Sequence, residues 1–340
     1  MKRSLSMVLA GVLALGVLAG CGSKPNDVYK QQPAAGDKPQ TTAPAPVAKL
    51  KIAQMPVIDS LPFWVASQKG YYKQEGVDVE LLTFKSPNER DAALQSGEVD
   101  GMMADIMTSA SLMASGGTKL KLTSVALGAT KEESPFAIIA APNSGITKPE
   151  QLKGVEIGIS NASIIDYVTE KLLKDQGFSA ADIKTTNIQQ INIRFEALMS
   201  GQIKASTLPE PWITLATAKG AKVILNDAKD GKGNYSVSVI TFSDKATQEK
   251  AEAIKRFFIA YNRAVNDIRL NPEGFFDLLN TEGKVPMEAK ATYKNVPPSF
   301  AQAPKKEDVD SVVQWMVERK IITAPLTYEQ LVNASLLPTK

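Results

Sequence analysis

The 340-residue chain contains no histidine and only one cysteine, Cys21. Those absences remove Ser–His and Cys–His nucleophilic catalysis, and with them the usual His/Cys zinc sites. No G-x-x-x-x-G-K-(S/T) or G-x-G-x-x-G loop occurs, so nucleotide chemistry lacks its phosphate cradle. A formal net charge of +3, spread along the chain, gives no electrostatic footprint for nucleic acid. After the first twenty residues there is no long apolar run, so the sequence contains no candidate membrane span. Carboxylate chemistry and non-covalent binding remain; no metal and no cofactor is expected.

What is present begins with a leader pattern. Lys2 and Arg3 precede an uncharged stretch, Met7 to Val17. That stretch is too short for a bilayer core of about 30 Å but suits a secretory apolar region. Leu18-Ala19-Gly20-Cys21 resembles a bacterial lipobox, in which cleavage before Cys21 frees its amine and thiol for lipidation, typically with palmitate. A lone exported cysteine would otherwise be an unpaired thiol. Residues 1–20 therefore read as a lipoprotein signal peptide. Residues 21–48, rich in Pro, Ala, Gln, Thr and Lys, read as a disordered tether, because so little apolar surface cannot offset the entropy of ordering. The expected location is the membrane, lipid-anchored and facing the periplasm or cell exterior.

From residue 49 onward the strongest signal is an internal repeat. Asn88, Arg90, Ala93, Leu94, Ser96, Gly97 and Val99 recur 104 positions later as Asn192, Arg194, Ala197, Leu198, Ser200, Gly201 and Ile203. Each copy reads as a helix capped by Asn, ended by Gly and turned into a strand. Each is followed by an acid, Asp105 or Glu210, and an Ala-rich helix ending near Gly116 or Gly220. Strand-like runs alternate with these helices at Leu50–Ala53, Gly76–Leu82 and Val155–Ile159. The expected fold is α/β with two lobes, each a mostly parallel sheet flanked by helices, and a ligand cleft between them. Phe136–Ala141 and Tyr235–Phe242 read as the crossings, giving lobe 1 as 49–135 plus 243–340 and lobe 2 as 136–242.

Ligands of open parallel sheets bind beyond the carboxyl ends of the strands, where helix N-termini offer unpaired N–H groups. Read from the strand ends, the candidate ligand-binding residues are Asp59, Ser60, Trp64, Ser86, Asn88 and Asp105 from lobe 1. From lobe 2 they are Ser160, Asn161, Ser163, Asp166, Glu210 and Trp212. Asp59 or Ser60 is expected to cap the helix that Pro62 begins, while Trp64, Phe136 and Trp212 are able to stack on a flat ligand. The charged groups are mostly acids; only Arg90 and Arg194 oppose them, each a turn into its helix. Such a lining favours a ligand with N–H donors or positive charge, unless the acids cap helices or pair with the arginines.

Four stretches resemble the solute-binding proteins of ABC importers for nitrate, sulfonates, taurine and thiamine-pyrimidine precursors. They are Asp59-Ser60-Leu61-Pro62 with Val65-Ala66 and Gly70-Tyr71-Tyr72; Leu94 to Asp100; Leu152-Lys153-Gly154 leading to Ile157–Ser160; and Leu208-Pro209-Glu210-Pro211. The resemblance implies a type II periplasmic-binding-protein-like fold, a monomer, hinged closure on a small molecule, and delivery to an ABC permease with its ATPase. It also implies that the loops at Asp59–Pro62, Ser86–Asn88, Asp105, Ser160–Ser163 and Glu210 line the cleft. Fungal pyrimidine synthases of the same fold consume a histidine, which this chain lacks. The competing readings are a secreted enzyme using Asp105 and Glu210, and a ligand-sensing lipoprotein without a transporter.

Overall fold

Two five-stranded sheets are built to the same plan. The computed structural model describes residues 48–293 and 295–338; the signal peptide, the Cys21 lipidation site and all but the last residue of the tether lie outside the described residues. In chain order the strands are β1 (Leu50–Gln54), β2 (Val79–Thr83), β3 (Gly101–Asp105), β4 (Leu120–Leu127), β5 (Phe136–Ala140), β6 (Glu156–Ile159), β7 (Lys184–Asn187), β8 (Ala205–Pro209), β9 (Lys222–Asn226) and β10 (Ser238–Ser243). The first sheet has the order β2-β1-β3-β10-β4 and the second β7-β6-β8-β5-β9. Within each, one strand runs against its neighbours: β10 is antiparallel to β3 and β4, and β5 to β8 and β9. The expected two-lobed α/β fold is therefore present, with mixed sheets.

The crossing strands explain a shift in the lobe boundary. The chain leaves the first sheet after Leu127 and returns after Asn226, and each crossing strand is inserted into the sheet it enters. β10 pairs Val239 with Ala104 and Thr241 with Met102, so residues 238–242 sit in the first sheet rather than in lobe 2, as read from the sequence. The two crossing segments touch where Gly128 has φ 82°; a Cβ there would lie 2.3 Å from the Ser236 carbonyl oxygen. Only glycine fits at such a combination of left-handed backbone and close approach.

The repeat is visible atom by atom. Helices Pro87–Ser96 and Ile191–Met199 occupy the same position between β2 and β3 and between β7 and β8. Ala93 and Leu94, like Ala197 and Leu198, are buried against their sheets. Gly97 and Gly201 both take left-handed φ (76° and 75°), and the Val99 and Ile203 amides donate to the Ala93 and Ala197 carbonyls at 3.3 and 3.1 Å. The expected Asn caps are not found. Ser86 caps the first helix by accepting from the Glu89 amide, and Gln190 precedes the second with no side-chain cap, because both asparagines lie inside the first turn, exposed.

Aromatic packing anchors lobe 1. Helix Ala251–Leu270 buries Ile254, Phe257, Phe258, Tyr261, Val265 and Ile268 at three- and four-residue spacing, against Phe63 and Phe242 among others. A second C-terminal helix, Lys306–Glu318, does not belong to lobe 1 alone. Its Trp315 meets Tyr167 of lobe 2 edge-on at 5.4 Å, and Ser311 shares a 2.8 Å hydrogen bond with the Tyr167 hydroxyl. This helix also packs on lobe 1 helix Ile106–Ala114, so it spans both lobes.

Candidate functional site

The arginine of the repeat fixes each repeat helix to its sheet. Arg90 donates through Nη1 to the Met103 carbonyl at 3.3 Å, and Arg194 through Nε to the Thr207 carbonyl at 3.1 Å. Met103 and Thr207 are themselves 104 positions apart. Both side chains are buried, so neither lines an open cleft as a free cation. Arg90 is neutralised by Asp91, 2.7 Å from Nη2. Arg194 has Phe195 in the equivalent place and no acid, and burial lowers its guanidinium to about 10. Its Nη1 reaches the Ile188 carbonyl at 2.7 Å, and its Nη2 is buried without a partner.

Two of the four acids, Asp105 and Glu210, hold helix starts, a role that the sequence left open. Asp105 accepts from the Thr108 amide at 2.7 Å and hydroxyl at 3.0 Å, capping helix Ile106–Ala114. Glu210, followed by a cis bond to Pro211, holds the Thr214 amide and hydroxyl at 3.2 and 2.9 Å in the equivalent turn. Asp166 is buried, accepts from the Ala162 amide at 3.1 Å and faces Arg319 at 3.6 Å. It thus joins lobe 2 to the spanning C-terminal helix. Asp59 lies in the short turn Ile58–Ser60 and accepts from the Ser238 hydroxyl at the start of β10. Burial raises Asp59 above the ordinary carboxyl range, the Ser238 hydroxyl opposes this, and the charge of nearby Asp105 adds to it. Glu210 is also raised, by burial against the two Thr214 hydrogen bonds. Among the described residues, none of Asp59, Asp105 and Glu210 has a cationic partner.

The remaining candidates divide. Ser160 donates to Gln189 Oε1, and Ser163 donates to the Ser160 carbonyl at 2.6 Å while capping helix Ile164–Asp175 through the Ile165 amide. The Asn161 side chain is exposed and its backbone amide donates to Asn187 Oδ1 at 3.1 Å. Between them Ala162 takes φ 54°, a left-handed conformation that an alanine adopts only when its surroundings hold it there. Ser86 is spent on its cap and Asn88 is exposed. Ser60 caps nothing: its backbone is already helical, and its buried hydroxyl turns back to the Met55 carbonyl at 3.0 Å. Trp212 packs on Phe195 at 5.0 Å inside lobe 2. Trp64 is 5% exposed, with Nε1 buried and unpartnered.

One further candidate lies outside the residues read from the sequence. Tyr293 is 6% exposed, and its hydroxyl is buried beside the Val296 backbone. Burial raises it, the charges of Glu210 and then Asp59 raise it further, and a hydrogen bond from the Val296 backbone opposes them. Leu215, from the helix after Glu210, packs on the lobe 1 core, which brings the two lobes together. Nothing in the sequence around Tyr293, a Pro- and Lys-rich connection, marks it.

Two sheets that exchange their crossing strands, each flanked by helices, define a two-lobed periplasmic-binding-protein fold. The chain belongs to the NMT1/THI5-like family, whose model matches residues 57–274. It is 23% identical over 279 residues to the riboflavin-binding protein RibY of Chloroflexus aurantiacus, covering 81% of this chain and 77% of that protein. It is 35% identical over 101 residues to the 4-amino-5-hydroxymethyl-2-methylpyrimidine phosphate synthase THI11 of Saccharomyces cerevisiae, a match spanning 29% of this chain and 28% of the synthase. Among solved structures, the aliphatic sulphonate binding protein SsuA of Escherichia coli superposes with a TM-score of 0.72 at 18% identity, over 85% of this chain and 98% of that one. The nitrate-binding protein NrtA of Synechocystis gives 0.67 at 16%, over 86% and 88%. Among the described residues no helix is long and apolar enough to cross a membrane.

Proposed function

We propose that this chain is the lipid-anchored solute receptor of an ABC importer. Its lobes close on a small organic solute, and the closed form docks on a permease driven by a separate ATPase. Closure follows from differential affinity: a solute that contacts both lobes binds the closed state more tightly. Cys21 supplies the membrane anchor, and no turnover accompanies binding.

The observation that supports the reading is that Asp59 of lobe 1 and Glu210 of lobe 2 are buried carboxyls whose charges both act on the Tyr293 hydroxyl, with no cation opposite them among the described residues. Acceptors of that kind favour a flat solute bearing N–H donors, of aminopyrimidine or similar ring chemistry, over a bare anion. The riboflavin named for RibY, a ring system with an N–H donor, is compatible with this reading. An enzyme based on Asp105 and Glu210 is less well supported, because each carboxylate is already held by a threonine of its own helix.

Native mass spectrometry of the gently purified protein identifies a co-purified solute. A thermal-shift screen of aminopyrimidines, riboflavin and alkanesulfonates then tests the chemistry. Stabilisation by donor-bearing rings is expected; stabilisation by alkanesulfonates alone would refute the donor assignment.

A further inference from the structure

The two crossing segments are pinned to one carboxyl. The returning segment leaves lobe 2 at Asn226 and enters lobe 1 at Ser238. Most of it is fastened to lobe 2: Asp175, on helix Ile164–Asp175, accepts from the Lys232 amide and the Tyr235 hydroxyl, each at 2.7 Å. Asn234 Nδ2 donates to the Gly128 carbonyl at 2.7 Å, which keeps the two segments together as they bend. Beyond Tyr235 only Ser236 and Val237 precede β10, so rotation of the lobes is concentrated in the backbone there and at Gly128 beside it. The Ser236 side chain reaches back across this bend and donates to Asp227, the first residue after β9. Ser134 of the outgoing segment faces the same carboxyl, and Lys131 donates to the Gly231 carbonyl at 3.0 Å. The enclosure is tight: a Cβ on Gly231 would lie 3.0 Å from Asp227 Oδ1. Asp227 is thus fixed in lobe 2, sealed from water, and bonded to a donor that moves when the hinge turns.

The charged groups around it act in opposite directions. From the turn Lys131–Glu133, Lys131 favours the ionised form, while Glu132 is exposed and Glu133 is bonded to Ser299 and Arg269. From helix Ile164–Asp175, Asp175 disfavours it, Tyr167 lies within reach of its charge, and Lys171 is turned over the Tyr167 ring at 5.4 Å. On its own helix Asp230 accepts from the Asn226 amide and Lys229 is exposed. β5 carries no titratable side chain, and Lys222 of β9 is exposed at the far end of its strand. Burial outweighs all of these and raises the Asp227 carboxyl to about 7.

We propose that Asp227 makes the hinge proton-sensitive: the protonated carboxyl favours the lobe arrangement seen here, and the ionised carboxyl favours a rotated one that admits water to the bend. Leu215 of lobe 2 packs on the lobe 1 core, so the lobes are in contact in the first arrangement and the rotated one is the more open. In the first, ionisation is penalised by burial; in the second, Ser236 swings away, water takes its place, and ordinary carboxyl acidity returns. A group whose value is raised in the closed state binds its proton more tightly there. Closure therefore takes up a proton and weakens as pH climbs from the ordinary carboxyl range to about 7. The coupling belongs to the hinge and needs no solute; in the receptor proposed above, solute is held less firmly as pH rises.

The test is the distance between spin labels on the two repeat helices, placed by Ala92→Cys and Glu196→Cys, both exposed positions, in the full chain carrying Cys21→Ser. Double electron–electron resonance is recorded without added solute from about pH 5.5 to about pH 8.5. The shorter-distance population is expected to fall at least about twofold across that range. Asp227→Asn keeps an acceptor for Ser236 but has no proton to lose, and is expected to abolish the fall. Ser236→Ala removes a donor that favours the ionised form, and is expected to move the midpoint of the fall to higher pH. A distance distribution that does not change with pH while Asp227 is intact overturns the inference, and this arm needs no variant at the hinge. So does a fall that persists in Asp227→Asn, which assigns it to another group, or a midpoint that Ser236→Ala leaves in place or lowers. Failure of every solute tried to bind would refute the receptor reading and leave the hinge coupling standing.

Discussion

Asp227 offers the sharpest quantitative test of the structure. It follows β9, is 0% exposed, and accepts from the hydroxyl of Ser236 on the returning crossing segment. The Ser134 hydroxyl, on the outgoing segment, also faces it, and Lys131 and Asp175 add smaller opposing charge effects. Burial dominates and raises its carboxyl to about 7 from the ordinary 3.8. A carboxyl raised on folding favours the folded state below its unfolded value, and that advantage is lost as pH climbs to the folded value. The window is therefore pH 4 to 7, and the change across it is roughly 4 kcal/mol. Asp227→Asn keeps an acceptor for Ser236 and removes the charge. Near pH 4 the two proteins should melt together; at pH 8 the variant should be more stable by up to about 4 kcal/mol, or roughly 8 °C at about 2 °C per kcal/mol. Differential scanning fluorimetry from pH 4 to 8.5 reads the difference curve directly, since the other carboxylates cancel between the two proteins. A flat difference across that range, or a variant less stable at pH 8, would refute the assignment of a buried, charge-penalised carboxyl between the crossing segments.

Other outcomes follow from single features. Tyr293→Phe removes a buried hydroxyl on which both Glu210 and Asp59 act, so the empty protein should change by no more than about 1 kcal/mol while solute affinity falls several-fold; equal losses in both would make Tyr293 a core residue. Arg90→Met strands the Asp91 carboxylate and should cost roughly 3 kcal/mol by chemical denaturation, with partial recovery in the Arg90→Met/Asp91→Asn double variant; no recovery would deny that the charge pair matters. Gly128→Ala places a methyl 2.3 Å from the Ser236 oxygen at a left-handed φ and should destabilise by roughly 3 kcal/mol, with a melting temperature unchanged from wild type counting against the contact.

The fold was legible where local patterns and burial agree. The repeat helices, the amphipathic Ala251–Leu270 and the apolar strands β5 and β6 each bury the residues whose spacing announces them. Strands β7 and β9 were not legible, because β7 is polar and mostly exposed at a sheet edge and β9 is an edge strand exposed at its start. The boundary at β10 failed for a different reason: an apolar strand records that it is buried but not in which sheet. The candidate site is a set of strand-end loops read from the sequence, whose side-chain roles the sequence did not separate. A Ser, Asp or Glu after a strand has the same signature whether it caps a helix or awaits a solute; Ser86 and Asp105 proved to cap, and Glu210, one residue before the cap position, holds the Thr214 amide. Tyr293 and the isolation of Arg194 depend on long-range placement, which no local spacing encodes.

The interleaved strands also order events along the growing chain. The second sheet is assembled wholly from β5 to β9, so every strand it needs has been made by Asn226. In the first sheet β4 borders only β10, and β10 arrives at residues 238–243. A ribosome or export channel therefore releases a complete second lobe while the first, though begun earlier, still holds an open seam between β3 and β4. Until that seam closes, the edges of β3 and β4 are the unpaired backbone most exposed to mispairing, and a chaperone would find its longest-lived target there.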